Sequence, residues 1–220
     1  MWLRTLLLAF MLAATGFAAR GEEYVKAFQS DIQVARTGKI TVTETITIVS
    51  EGKEFKHGIF RDFPMGYMSP DGMQPVMLDI IEVTRDGAAE GHHPGFLAGG
   101  RRIYFGEKDV LLPDGEHTYR ITYRTDNRIH PAGENDLLAW NVTGTWPFRI
   151  EHAEARVSLP NGTKVLGTQA TAGTPEMSYD NASVTVAGRA LVFSSVLPVQ
   201  PRGSLQFRIL IPKDFIERPH

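Results

Sequence analysis

The 220 residues suffice for one large β domain or two small ones, with a buried core in either case. A net charge of -2, with 22% charged residues, gives no electrostatic footprint for nucleic acid or for a polybasic membrane patch. The absence of cysteine excludes a disulfide framework, a thiolate metal site and a cysteine nucleophile.

The first predicted element is an address. In "MWLRTLLLAFMLAATGFAARGEE", Arg4 supplies a positive start and Leu6 to Ala14 an apolar run. Gly16-Phe17-Ala18 then places small residues where a cleavage site needs them. The run is shorter than the roughly 20 apolar residues of a bilayer span. The expectation is a signal peptide over residues 1–18, with cleavage after Ala19 as second choice and an uncleaved anchor as the alternative. An extracytoplasmic location follows.

From residue 23 to 212 the chain reads as strand after strand. "YVKAFQSDIQVA" opens the series. In "KITVTETITIVS", Ile40, Val42, Ile46 and Ile48 share one face, and Thr41, Thr43, Thr45 and Thr47 the other. Such period-two alternation of stiff β-branched residues suits a pleated, half-buried surface. "VMLDIIEVTRDG" ends in an Asp86-Gly87 turn, and "RRIYFGE" follows. "HTYRITYRT" sets Tyr119, Ile121 and Tyr123 inward, and "HAEARVSLP" sets Ala153, Ala155, Val157 and Leu159 inward. "NASVTVAG", "RALVFSS" and "SLQFRILIP" complete the series. Pro113-Asp114-Gly115, Asn161-Gly162 and Pro201-Arg202-Gly203 punctuate it with turn chemistry.

The fold class expected is all-β: an antiparallel β-sandwich, Ig-like in general architecture, with little or no helix beyond the signal peptide. A single domain over residues 23–212 is the first reading, and two packed sub-domains meeting near residue 160 the second. Residues 213–220 read as a tail or the start of a linker. Residues 88–100 and 126–136 read as long loops, where function usually sits on a β scaffold.

Catalytic patterns are scarce. His92 and His93 are adjacent and diverge on a strand, and His57, His117, His130 and His152 have no metal-ligand spacing. Neither a nucleophile elbow nor a phosphate-cradling glycine loop is present. Neither a metal nor a cofactor is expected. The three sequons at Asn141, Asn161 and Asn181 carry little weight, and Asn161-Gly162 is better read as a turn.

One carboxylate stands out. Glu44 lies in phase with Ile40, Val42, Ile46 and Ile48, on the face that should be buried. An ionised carboxylate removed from water needs a partner or a proton. Arg61 in "HGIFRDFP", among Ile59, Phe60 and Phe63, is the natural partner, because its guanidinium stays charged and can grip a carboxylate at two points. A structural Glu44–Arg61 ion pair is expected; a strand slip or wet edge, and a ligand-binding role, are the alternatives. In "LLAWNVTGTWPF", Trp140 alternates with Leu138 and Val142 as a core residue would, whereas Trp146 stays undecided between core and platform. His57, Asp62, Asp136, Asn141 and Trp146 form the candidate binding patch.

"TVTETITIV", "HGIFRDFP", "DGEHTYRITYR" and "DLLAWNVTGTWPFRIEHAEARVSLP", in this order, resemble the DUF2207 family of predicted bacterial membrane proteins over roughly residues 25–160. The resemblance implies a signal peptide, a β-rich extracytoplasmic domain and then transmembrane helices, often with a glycine-rich cytoplasmic tail. It implies no reaction and no catalytic residues. No second hydrophobic segment follows by "IPKDFIERPH". The chain is therefore expected to be the ectodomain portion of a longer protein, membrane-associated through segments absent here, or a stand-alone secreted relative.

The functional expectation is a non-catalytic envelope module displaying loops to an envelope protein or polymer, with no nucleic-acid partner. The alternative is a hydrolase acting on envelope glycan or peptide through acids such as Asp62 and Asp136 near Trp146. A purely structural spacer is the third reading.

Overall fold

The computed structural model describes residues 21–69, 72–174 and 181–217. The expected signal peptide therefore lies outside the described residues, as do residues 218–220 of the tail. The described residues contain no helix. Seventeen strands run in chain order: β1 (Tyr24–Val34), β2 (Ile40–Ser50), β3 (Ile59–Pro64), β4 (Gly66–Ser69), β5 (Gly72–Pro75), β6 (Leu78–Arg85), β7 (Ala88–Ala89), β8 (His92–Leu97) and β9 (Gly100–Phe105) come first. They continue as β10 (Gly115–Thr125), β11 (Ile129–Ala132), β12 (Asn135–Asn141), β13 (Ile150–Ser158), β14 (Gly167–Gly173), β15 (Ala182–Ala187), β16 (Ala190–Ser195) and β17 (Ser204–Pro212). The protein is all-β.

The largest sheet has eight strands in the order β15-β16-β13-β1-β2-β10-β6-β7. A four-stranded sheet runs β11-β12-β17-β14, a three-stranded sheet β3-β9-β8, and a hairpin β4-β5. Pairing is antiparallel except between β1 and β13, which run parallel from Val25↔Ile150 to Gln33↔Ser158. This departs from a wholly antiparallel expectation. The two strands are far apart in sequence, so no tight hairpin dictates their relative direction. Strands from both sides of residue 160 pair in the two larger sheets.

Period-two patterning places the core. Val42, Ile46 and Ile48 of β2, Phe28 and Ile32 of β1, and Tyr119 and Ile121 of β10 are fully buried from the large sheet. Leu138 of β12 and Phe207 and Ile209 of β17 are buried from the four-stranded sheet, and Ile59, Ile103 and Phe105 from β3 and β9. All belong to one hydrophobic cluster. Phe193 of β16 stacks on Phe207 of β17 with centroids 4.5 Å apart, joining the two larger sheets. Each such side chain contributes about 1.5–3 kcal/mol when removed from water.

The two segments read as loops are mostly strand. Residues 92–97 form β8, paired along β9 from His92↔Phe105 to Leu97↔Gly100. Residues 129–132 form β11, hairpinned onto β12 around Gly133, whose φ is 64°. Their Gly, His and Pro content hid a period-two signal, but backbone pairing across short turns does not require one. The Asp86-Gly87 turn behaves as read: both residues have positive φ, 53° and 84°, the twist that a two-residue hairpin prefers.

The glycine of "HGIFRDFP" has a steric cause. Gly58 has φ 122°, and a Cβ there would lie 2.0 Å from the Phe105 carbonyl oxygen. Reciprocally, Gly106 has φ 132°, and its Cβ would lie 1.8 Å from the His57 carbonyl oxygen. The start of β3 and the end of β9 thus touch backbone to backbone. Gly87 shares the positive φ but has open space around it. Gly87→Ala is expected to lose about 1–2 kcal/mol from backbone strain. Gly58→Ala and Gly106→Ala should lose clearly more, read as shifts in urea midpoint at unchanged slope.

Candidate functional site

The polar group that joins the most distant parts of the described interior is Arg61, with four hydrogen bonds. Strand β2 places Glu44 opposite Ser30 of β1 and Ile121 of β10, on the buried face of the large sheet. Tyr123, two residues beyond Ile121, shares that face. Strand β3 brings Arg61 over them from the three-stranded sheet, opposite Ile103. Arg61 Nε donates to Glu44 Oε2 at 2.8 Å and Nη2 to Glu44 Oε1 at 2.9 Å. Tyr123 Oη donates to the same Oε1 at 3.0 Å. Glu44 is fully buried and Arg61 5% exposed.

The rest of the guanidinium is held by backbone. Arg61 Nη1 donates to the Thr143 carbonyl, and Nη2 also to the Val142 carbonyl at 3.2 Å. These carbonyls lie in the turn after β12, inside "WNVTG". Asn141 Oδ1 accepts the Gly144 N–H at 2.9 Å, and Thr143 Oγ1 accepts the Leu205 N–H at 3.1 Å. Gly144 has φ 66°, and a Cβ there would come within 2.8 Å of Arg61 Nη1. Trp146 Nε1 donates to the Thr143 carbonyl at 2.8 Å. Phe28 faces the guanidinium, with Cζ 4.9 Å from its ring centroid. Burial pulls the Arg61 pKa down, and the Glu44 charge more than offsets it, so Arg61 stays cationic. Burial first, then the Glu44 charge, pushes the Tyr123 phenol well above its ordinary value, so it acts as a neutral donor.

The candidate patch does not assemble as one site. Asp62 is held at two points by Arg102, Oδ1 to Nε and Oδ2 to Nη2, both at 2.7 Å. Asp136 is fully buried and accepts the Asp214 N–H at 3.0 Å. His57 is exposed and its Nδ1 lies 3.0 Å from the Val110 carbonyl. Trp146 is buried and stacks on Phe60 with centroids 6.3 Å apart. Asn141 shapes the turn beneath Arg61, and it shares a small cleft with Asp62. Among the described residues no group of three or more His, Cys, Asp or Glu could hold a metal ion.

Two arrangements went unread in the sequence. Glu23, buried at the start of β1, accepts backbone N–H groups from Glu51 at 2.8 Å, Lys53 at 3.0 Å, Glu54 at 2.6 Å and Phe55 at 3.4 Å. Burial pushes its carboxyl up, and the four donors outweigh it, leaving the pKa below the ordinary value. Acids ahead of a strand, as in Glu22-Glu23, give no pattern to detect. The second is His130, whose ring lies 3.9 Å from that of Tyr67. Burial, then the nearby Arg128 charge, lowers its pKa.

Removing Glu44 alone should strand a buried cation. Glu44→Leu is expected to lose about 3–5 kcal/mol. Adding Arg61→Met should recover part of that loss, since the uncompensated charge goes with it; strictly additive losses in a denaturant double-mutant cycle would refute the coupling. For His130, the unfolded chain takes up a proton near pH 6.5 and the folded chain only at lower pH. The stability contribution of neutral His130 is therefore present above about pH 6.5 and lost as pH falls through and below it. The acid-side decline should be shallower in His130→Gln, by thermal melts from pH 7.5 to 5.

Comparisons with known proteins agree with these motifs. The chain is 34% identical over 142 residues to the uncharacterized protein YciQ of Escherichia coli strain K12, which is 64% of this chain and 22% of that one. It thus spans about a fifth of that relative's length. Its fold is similar to that of native yeast LTA4 hydrolase, with a TM-score of 0.54 at 11% identity over 86% of this chain and 29% of that one. A Saccharomyces cerevisiae leukotriene A4 hydrolase structure gives a TM-score of 0.53 at 13% identity, with the same coverage. At such identity the likeness concerns fold alone. The family described as "Predicted membrane protein (DUF2207) N-terminal domain" matches residues 24–192, and the chain belongs to that family.

Proposed function

We propose that this chain is a non-catalytic, extracytoplasmic β-sandwich module of a membrane-associated protein, and that it binds a protein or polymer of the cell envelope. The observation that carries the reading is the way its acids are used. Asp62 and Asp136, the acids of the hydrolase alternative, are each committed to structural bonds, to Arg102 and to the Asp214 backbone, as Glu44 is to Arg61 with Tyr123. A general acid or a nucleophile needs a carboxylate that faces its substrate with a tuned pKa. These three instead tie strands together. Membership of a predicted membrane-protein family supports the location, and the apolar leader of the sequence supports export.

Fractionation of the native bacterial host with an antibody to this domain tests the reading. The expected result is a band in the membrane pellet that protease removes from intact spheroplasts, and a defined neighbour captured by crosslinking in the membrane. A band protected inside the spheroplast would overturn the location. Turnover of envelope glycan or peptide that Asp62→Asn or Asp136→Asn abolishes without lowering Tm would overturn the non-catalytic role.

A further inference from the structure

Among the described residues, Arg128 is a half-buried guanidinium that enters no ion pair. Arg128 lies between the end of β10 and the start of β11, and its Cζ sits 4.8 Å from the Trp140 ring centroid. Its Nε is buried without a hydrogen-bond partner among the described residues. None of the ion pairs among those residues includes it. Burial depresses its pKa, and the nearby Tyr123 and Tyr67 phenols offset this only in part. The other two arginines nearby are satisfied: Arg61 by Glu44 and two carbonyls, Arg102 by Asp62. Arg128 is half-buried, and a buried donor without a partner is costly to keep.

The space beside it is small and defined. A cleft of about 40 Å³ is lined by Arg128, Trp140, Asn141, Tyr123, Asp62 and Val76, among others. Asn141 keeps its Oδ1 on the Gly144 N–H, which leaves its NH2 group as a second donor on the wall. The charges of Glu44 and Arg61 cancel, as do those of Asp62 and Arg102, so the cleft carries the single positive charge of Arg128.

We propose that Arg128 is the receptor for one carboxylate of an acidic, extended peptide, seated in the cleft against Trp140. The planar guanidinium fork fits a carboxylate at two points, and the indole steadies it through a cation–π contact. One positive charge balances one carboxylate; a phosphate dianion would leave excess negative charge beside Asp62. The peptide character comes from β11, the edge strand of the four-stranded sheet, which begins at the residue after Arg128. An edge strand offers unpaired backbone groups to an added strand. Pro131 lacks an N–H and confines such pairing to the Ile129–His130 end, the end next to Arg128. The inference rests on the module reading for the existence of a partner and gives that partner a chemistry.

The test is an NMR titration of the purified protein with three probes: a capped Ala-Glu-Ala peptide, its Ala-Gln-Ala counterpart and inorganic phosphate. The Nε–Hε signal of Arg128 and the indole signal of Trp140 are the readouts. The Glu peptide is expected to shift both saturably in the millimolar range. The Gln peptide should not, and Arg128→Gln should weaken binding by about tenfold or more. Arg128→Lys, which keeps the charge and loses the fork, should fall between. Arg128→Met separates binding from folding: replacing an unpaired cation by an apolar side chain should hold or raise Tm while abolishing the titration. Equal shifts from the Gln peptide, tighter binding of phosphate, unchanged affinity in Arg128→Gln, or a large fall in Tm in Arg128→Met would each overturn the proposal. Because the titration reads carboxylate binding directly, its failure leaves the module reading intact. A cytoplasmic location or turnover of substrate would sink the module reading without altering the titration.

Discussion

A charged pair taken wholly out of water must satisfy its hydrogen bonds locally, because nothing else can. In this protein the Arg61–Glu44 pair meets that demand only because three sheets meet around it. Glu44 comes from the eight-stranded sheet, Arg61 from the three-stranded sheet, and the Val142 and Thr143 carbonyls from the turn leaving the four-stranded sheet. A shift of any one sheet would leave a buried charge or a buried carbonyl without a partner, at a penalty comparable to a large part of the stability of a domain. Hydrophobic contacts supply most of the favourable free energy, but they tolerate sliding. The bonds to Arg61 do not, and so they set where the sheets sit relative to one another.

The two most distinctive pieces of sequence are the two halves of this arrangement. "HGIFRDFP" supplies Arg61 and the Gly58 that lets β3 lie against the end of β9. "WNVTG" supplies two carbonyls, the Asn141 and Thr143 side chains that shape the turn, and Gly144, the residue whose missing Cβ makes room for the guanidinium. Roughly 80 residues separate Arg61 from the turn it binds. Their joint presence follows from one buried cation and needs no ligand to explain it. The same holds for Asp62, closed onto Arg102, and for Trp146, whose indole N–H braces the Thr143 carbonyl from the other side.

Arg128 stands in contrast. It lies near the same centre, above Trp140, yet none of the ion pairs among the described residues includes it. A buried guanidinium nitrogen left without a partner is the kind of local inconsistency that a functional role explains. The proteins of similar fold are hydrolases by name, but their resemblance lies in strand arrangement, and arrangement does not transmit chemistry.

Much of the fold was legible in the residue order. The alternation in β2, β10, β13 and β17 marked strands and their buried faces, since side chains must point to opposite sides of a pleat. Glu44 was conspicuous because it broke that rule, and Arg61 because it sat among aromatics in a likewise apolar strand. Other features were not legible. The parallel pairing of β1 with β13, the strand character of residues 92–97 and 129–132, and the Glu23 clamp on residues 51–55 all depend on backbone groups, which every residue carries and no residue type announces. The isolation of Arg128 is of the same kind. A sequence shows that a cation is present, and only the packed structure decides whether an acid lies within reach of it.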